Sequence, residues 1–183
     1  MKHKILVVVD AQNDFIDGSL ANKEAQERVG NIAKKIDDFD GDLIFVTRDT
    51  HDANYLETNE GKKLPVVHCV KDTEGWLINR GVSEALMKKD LSESNVVTYV
   101  NKPTFGSPEL ANQIKKLDGD LEVELVGFCT DICVVSNALL IKSAVYDRAR
   151  VVVDASCCAG VTPESHKAAL TTMKMCQIDV INE

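Results

Sequence analysis

Short runs of apolar residues recur along the chain at Ile5 to Val9, Leu43 to Val46, Val96 to Val100, Leu121 to Val126, Val151 to Val153 and Ile178 to Ile181. Charged or turn-forming residues bound each run, and Val and Ile dominate most of them, which predicts strands buried on both faces of a sheet. Between the runs, apolar positions follow helical spacing over Asn22 to Phe39, Pro108 to Leu117, Thr130 to Arg148 and Pro163 to Cys176. The last of these opens on Thr162 as cap, Pro163 at the first helical position and Glu164 behind it, a well-formed helix start. Strands alternating with helices imply parallel pairing through right-handed crossovers. The predicted fold class is therefore α/β, a three-layer α/β/α sandwich around a central parallel six-stranded sheet.

One passage breaks the alternation. After the second run the chain continues through a long polar stretch, 48–90, with one short helix predicted around Val82 to Lys89. Connections of that length in a compact domain are usually functional or mobile. This one carries Asp49, His51, Glu57, Glu60, His68 and Trp76, which favours function.

At 183 residues the chain suits one domain, 1–183. Its 21 Lys+Arg against 29 Asp+Glu leave a net charge of -8, which argues against a nucleic-acid partner. The apolar run near the start stops at Asp10, too short for a signal-peptide core or a membrane span. No membrane association is expected, and the expected compartment is cytoplasmic. In that setting the six cysteines read as thiols, and no CxxC pair suggests a thiolate zinc site. A GxGxxG or GxxxxGK loop is absent from the sequence, so a nucleotide cofactor has no support.

In an open parallel sheet, ligands bind beyond the carboxyl ends of the strands. Those ends display Asp10, Asp49, Lys102, the segment Gly127-Phe128-Cys129, and Asp154. Cys133 falls in the first turn of the helix after the fourth strand, where the helix dipole favours a thiolate. An acid, a lysine and a cysteine at one sheet edge make a coherent nucleophilic site. Taken singly, Asp10 could cap a loop, Lys102 could be a solvated lysine and Cys133 a buried thiol. In the long passage, Asp49 and His51 stand two apart and His68 returns 17 residues later. Such ligands suit Zn, Fe or Mn; the alternative is a surface loop in which His68 packs under the Pro65-Val66-Val67 turn.

Four ordered motifs carry a resemblance: VVVDAQNDF near the N-terminus, NKPTFGS after the third strand, GFCTDICV after the fourth and DASCCAGVTPESHKAAL near the C-terminus. Together they resemble the isochorismatase-like cysteine hydrolase family, nearest to its nicotinamidase/pyrazinamidase members. The resemblance implies the Rossmann-like fold of that family over nearly the whole chain, and a catalytic triad at Asp10, Lys102 and Cys133. It also implies a cis peptide between Phe128 and Cys129, and an oxyanion hole from the amides of Cys129 and Cys133.

For the long passage the resemblance implies one divalent transition metal, Zn first and Fe or Mn otherwise, held by Asp49, His51 and His68 with a ligand from the intervening loop. Glu60 and Glu57 are the candidates, and Glu60 has the better spacing to His68. The aromatic residue that many nicotinamidases carry just before the PxH turn is missing, since this chain has Leu64-Pro65-Val66-Val67. Pyridine stacking is then expected from Phe15, Tyr55 or Trp76. The implied activity is hydrolysis of a small amide substrate, nicotinamide first, by a homo-oligomeric enzyme. A related hydrolase of N-carbamoyl or ureido compounds, or a non-catalytic binding or scaffold member, is the alternative. Cys157, Cys158, Asp154, Gly160 and His166 are read as structural.

Overall fold

The computed structural model describes residues 2–92 and 95–183. Its strands are β1 (Lys2–Val9), β2 (Leu43–Asp49), β3 (Val96–Lys102), β4 (Asp120–Phe128), β5 (Ala149–Ala159) and β6 (Asp179–Ile181). They form one sheet in the order β3-β2-β1-β4-β5-β6 with every pairing parallel. The helices are α1 (Asn13–Ile16), α2 (Lys23–Asp38), α3 (Asn59–Lys63), α4 (Arg80–Leu91), α5 (Pro108–Lys115), α6 (Val135–Val145) and α7 (Pro163–Met175). No helix among the described residues is long and apolar enough to cross a membrane.

The strand period of two divides the core. From β1, Ile5, Val7 and Val9 enter a cluster with Leu110, Ile114, Ala138, Ile141, Leu170 and Met173, on the face covered by α5, α6 and α7. Leu6 and Val8 enter the opposite cluster with Ile32, Ile36, Val82 and Leu86, under α2 and α4. Helix starts follow local chemistry. The Asn22 side chain accepts from Glu24 N–H and Ala25 N–H at α2, Ser107 caps α5, and Thr162 and Ser165 form a capping box at α7.

The strand order reverses between β1 and β4, and an open α/β sheet splays at such a switch point to leave a crevice beyond the strand ends. Gly127 lets the two strands approach there. It pairs with Val9 at φ +120, and a Cβ on it would stand 2.0 Å from the Val9 carbonyl oxygen. Gly127→Ala is therefore expected to cost roughly 2–4 kcal/mol. That is on the order of 10 °C in Tm for a domain of this size, readable by calorimetry.

Two elements differ from the sequence reading. β5 continues through a register shift to Ala159, so Asp154 lies inside a strand rather than at its end. There it is buried and paired with Lys35 at 2.7 Å, while its oxygens accept from Ser156 and Asn182. The 48–90 passage holds a 3-10 turn at Tyr55–Glu57, then α3 and α4, instead of one short helix. It is tied down by a Gln12–Ile78 bridge, a His51–Val70 bridge and a hydrogen bond from Trp76 Nε1 to Thr50 Oγ1 of 2.8 Å.

Candidate active site

Asp10 ends β1 with φ 45, a left-handed conformation that a non-glycine residue holds only when its surroundings enforce it. Its amide N–H donates to Thr47 O and to Thr47 Oγ1, each at 3.2 Å, and Thr47 Oγ1 donates to Asp10 Oδ1 at 2.7 Å. Beyond β4 the Phe128–Cys129 peptide is cis, as the resemblance implies. Thr130–Val134 follows as a single π-helical turn, a form frequent at functional sites. The Cys129 carbonyl accepts from Ile132 N–H and Val134 N–H, closing the turn, and this sets Cys133 facing the sheet edge.

Lys102, at the end of β3, reaches across the end of β2 to meet these groups. Its Nζ lies 2.6 Å from Asp10 Oδ2, 3.4 Å from Asp49 Oδ1 and 3.6 Å from Cys133 Sγ, and donates to Thr104 O at 3.1 Å. Asp10, Lys102 and Cys133 are 0%, 1% and 4% exposed, so these interactions act away from water. Burial works against the Lys102 ammonium, but Asp10, the Cys133 sulfur and Asp49 outweigh it and keep the lysine charged. Burial pushes the Asp10 carboxyl up, opposed by Lys102 and the Thr47 hydroxyl.

Burial likewise pushes the Cys133 thiol well up, Asp10 adds to the rise, and Lys102 only partly opposes it. Desolvation of the nearly inaccessible sulfur thus works against the thiolate that a helix start favours, and Lys102 works for it.

Asp49, His51, Glu60 and His68 bring ligand atoms within 4.8 Å of one another. Asp49 and His51 come from the end of β2 and the residues after it, Glu60 from α3, and His68 from the segment after α3. Asp49 Oδ2 stands 3.0 Å from His51 Nε2 and 3.5 Å from His68 Nε2, and His51 Nε2 stands 3.7 Å from Glu60 Oε1. His68 Nδ1–H donates to the Val66 carbonyl at 2.8 Å, which leaves Nε2 for an ion. Burial pushes the Asp49 carboxyl up, but His51, His68 and Lys102 hold it well below the usual carboxylate range. The spacing and the donor set of two imidazoles and two carboxylates fit one transition-metal ion. Glu57 stays exposed and outside this cluster.

A cavity of about 790 Å³ opens over the two groups. Phe15, Leu64, Phe105, Cys129, Ile132 and Cys133 line it, with Asp49, Glu60 and His68 at one side. Of the three aromatic residues expected to hold substrate, Phe15 lines the cavity, edge-on to His68 at 5.7 Å. Tyr55 does not. Its ring packs against the two histidines, 4.7 Å from His51 and 4.9 Å from His68, and its hydroxyl donates to Leu64 O. Trp76 also lies elsewhere, stacked on the Arg48 guanidinium at 4.1 Å.

The sequence reading passed over Phe105, three residues after Lys102, and Gln12, two after Asp10. Gln12 is buried; its Nε2 donates to Asp49 O and Trp76 O, and its Oε1 accepts from Asp49 N–H, so it clasps the backbone of Asp49. A glutamine between an apolar strand and a polar loop was the available signal. Cys157 and Cys158 are buried, as expected of packing residues. His166 Nδ1 pairs with Thr130 Oγ1 at 2.8 Å, joining α7 to the π-helical turn.

Comparisons with known proteins place this geometry. The family model of the isochorismatase domain matches residues 4–182. An uncharacterized isochorismatase family protein, PncA of Bacillus subtilis (strain 168), is 30% identical over 177 residues, covering 92% of each chain. Among solved structures, nicotinamidase/pyrazinamidase PncA from Bacillus subtilis superposes with TM-score 0.80 at 26% identity, covering 100% of both chains. Pyrazinamidase of Pyrococcus horikoshii, in complex with zinc, gives TM-score 0.77 at 27% identity, covering 99% of each.

Proposed function

Because the chain belongs to the isochorismatase family, we propose that this hydrolase of amide C–N bonds acts on nicotinamide, releasing nicotinate and ammonia, with Cys133 as the nucleophile. The observation that carries the reading is the Lys102 ammonium, held between Asp10 at 2.6 Å and Cys133 Sγ at 3.6 Å beside a cavity that Asp49, Glu60 and His68 also line. The whole chain acts as one domain, with the 48–90 passage shaping the far side of the pocket.

In the first step Asp10 Oδ2 takes the thiol proton and the Cys133 sulfur attacks the amide carbon. Burial raises the pKa of both groups, so the carboxylate that receives the proton is matched to the thiol that gives it. The oxyanion that forms is met by the amide N–H groups of Cys129 and Cys133. Lys102 remains charged throughout, and its positive field favours the thiolate. Protonated Asp10 then donates to the departing nitrogen, ammonia leaves, and a thioester on Cys133 remains. Asp10 next accepts a proton from water as its oxygen attacks the thioester, and collapse of the adduct frees the carboxylic acid and the thiol. Phe15 and Phe105 supply apolar contact for an aromatic ring.

Asp49, His51, Glu60 and His68 would hold one Zn, Fe or Mn ion. Bound there, the ion supplies a coordination position for the substrate's ring nitrogen or for an ordered water. Elemental analysis of protein purified without chelator should find about one ion per chain, and His51→Ala should lose it. Proton competition sets the pH dependence. Burial alone would lower the His68 pKa, but Asp49 and the Val66 carbonyl outweigh it and raise it above 6.5. The metal needs the neutral imidazole, so affinity is greatest above that raised value and falls as pH drops through it. Titration of Zn²⁺ into metal-stripped protein across a pH series should therefore show the Kd rising as pH falls through the raised value. A Kd independent of pH over that range would contradict this.

The test of the function is ammonia release by the purified holoprotein over a panel of nicotinamide, pyrazinamide, aliphatic amides, N-carbamoyl and ureido compounds. The proposal expects the heteroaromatic carboxamides to be cleaved fastest. Cleavage confined to carbamoyl or ureido compounds would replace it with the related hydrolase activity, and a silent panel would favour a non-catalytic role.

A further inference from the structure

Two carboxylate oxygens are available on Asp10, and a proton shuttle needs one of them held in a fixed direction. Thr47 occupies the other. Its side chain is 0% exposed at a position two before Asp49 on β2. The hydroxyl accepts the Asp10 amide N–H at 3.2 Å and spends its single proton on Asp10 Oδ1 at 2.7 Å. Asp10 Oδ2 faces the Lys102 ammonium at 2.6 Å and accepts no other hydrogen bond among the described residues. Thr47 thus holds the backbone and the side chain of Asp10 from one atom, at a residue whose φ of 45 a non-glycine chain does not keep unaided.

Resting on the function proposed above, we infer that Thr47 is a positioning residue that locks the Asp10 carboxylate so that Oδ2 alone exchanges protons with Cys133 and with the leaving nitrogen. Thr47 does not line the substrate cavity, and its hydroxyl proton goes to Asp10, so its effect passes through Asp10. Without the hydroxyl the carboxylate is free to rotate about its Cα–Cβ and Cβ–Cγ bonds, and misplacing a reacting group by about 1 Å can cost on the order of 100-fold in rate. Substrate binding does not involve this contact and is left intact.

The experiment compares Thr47→Val, which keeps the shape and removes the hydroxyl, with Thr47→Ser, which keeps the hydroxyl and removes the methyl. Steady-state hydrolysis of nicotinamide by the metal-loaded holoprotein is measured beside metal content and Tm. The expected result is a fall in kcat of roughly 10- to 100-fold for Thr47→Val, with KM and metal content unchanged, and recovery of most of that loss in Thr47→Ser. A purely structural threonine would show the reverse order, since valine fills the buried site and serine leaves a gap. Wild-type kcat in Thr47→Val, or an equal loss in both variants, would overturn the inference. Should Thr47→Val not fold, Thr47→Ser against Thr47→Ala carries the same comparison, because both lack the methyl and only serine has the hydroxyl. Inactive wild-type protein would instead fault the function itself, which separates the two failures.

Discussion

Cys133→Ala is expected to abolish amide hydrolysis, with a loss of at least about 10⁴-fold in kcat/KM, because Cys133 is the cavity thiol that stands beside Lys102, at 3.6 Å. The fold should survive. The thiol is small and the Asp10–Lys102 ion pair does not depend on it, so the cost is about 1 kcal/mol and Tm should move by only a few degrees. Steady-state assay and calorimetry on one preparation check both halves. Retained turnover would remove Cys133 from the mechanism, whereas lost turnover with a collapsed Tm would show only that the residue is structural. Metal content should match the wild type, since no ligand of the Asp49, His51, Glu60, His68 cluster is disturbed.

Asp10→Asn has a second consequence besides the chemical one. An amide cannot accept the thiol proton, which should lower kcat by about 100-fold or more. The same change removes the negative partner 2.6 Å from a Lys102 ammonium that is 1% exposed, leaving Asp49 Oδ1 at 3.4 Å as its remaining carboxylate. Breaking a buried pair from one side costs about 3–5 kcal/mol, so Tm should fall on the order of 10 °C. A chain that kept both its rate and its Tm would show that Asp10 neither shuttles protons nor neutralises Lys102.

Much of this is legible in the sequence. The apolar runs read as strands because a strand covered on both faces has no polar side to show, and Ile5 to Val9 with Leu121 to Val126 became the paired centre of the sheet. Asp10, Asp49 and Lys102 could be placed at one edge because parallel strands present their carboxyl ends together. Other features depend on distant neighbours. The ionisation of Cys133 turns on burial, on Asp10 and on Lys102, a residue 31 positions away, none of which local helix position displays. Tyr55 and Trp76 were candidates as aromatics in the functional passage, yet which way that passage folds over His51 and Arg48 is set by tertiary packing. Thr47 escaped notice because the second apolar run ends at Val46, while the strand continues three residues further to Asp49.

The central claim is that nicotinamide is cleaved through an acyl group carried on Cys133. Its most direct test is rapid acid quench of the holoprotein during turnover of nicotinamide, followed by mass spectrometry of its peptides. The account predicts a nicotinoyl adduct on the peptide containing Cys133, appearing before steady state and absent from Cys133→Ala. Turnover of nicotinamide at full rate with no adduct on that peptide at any time, or with the adduct on Cys129, Cys157 or Cys158, would contradict it.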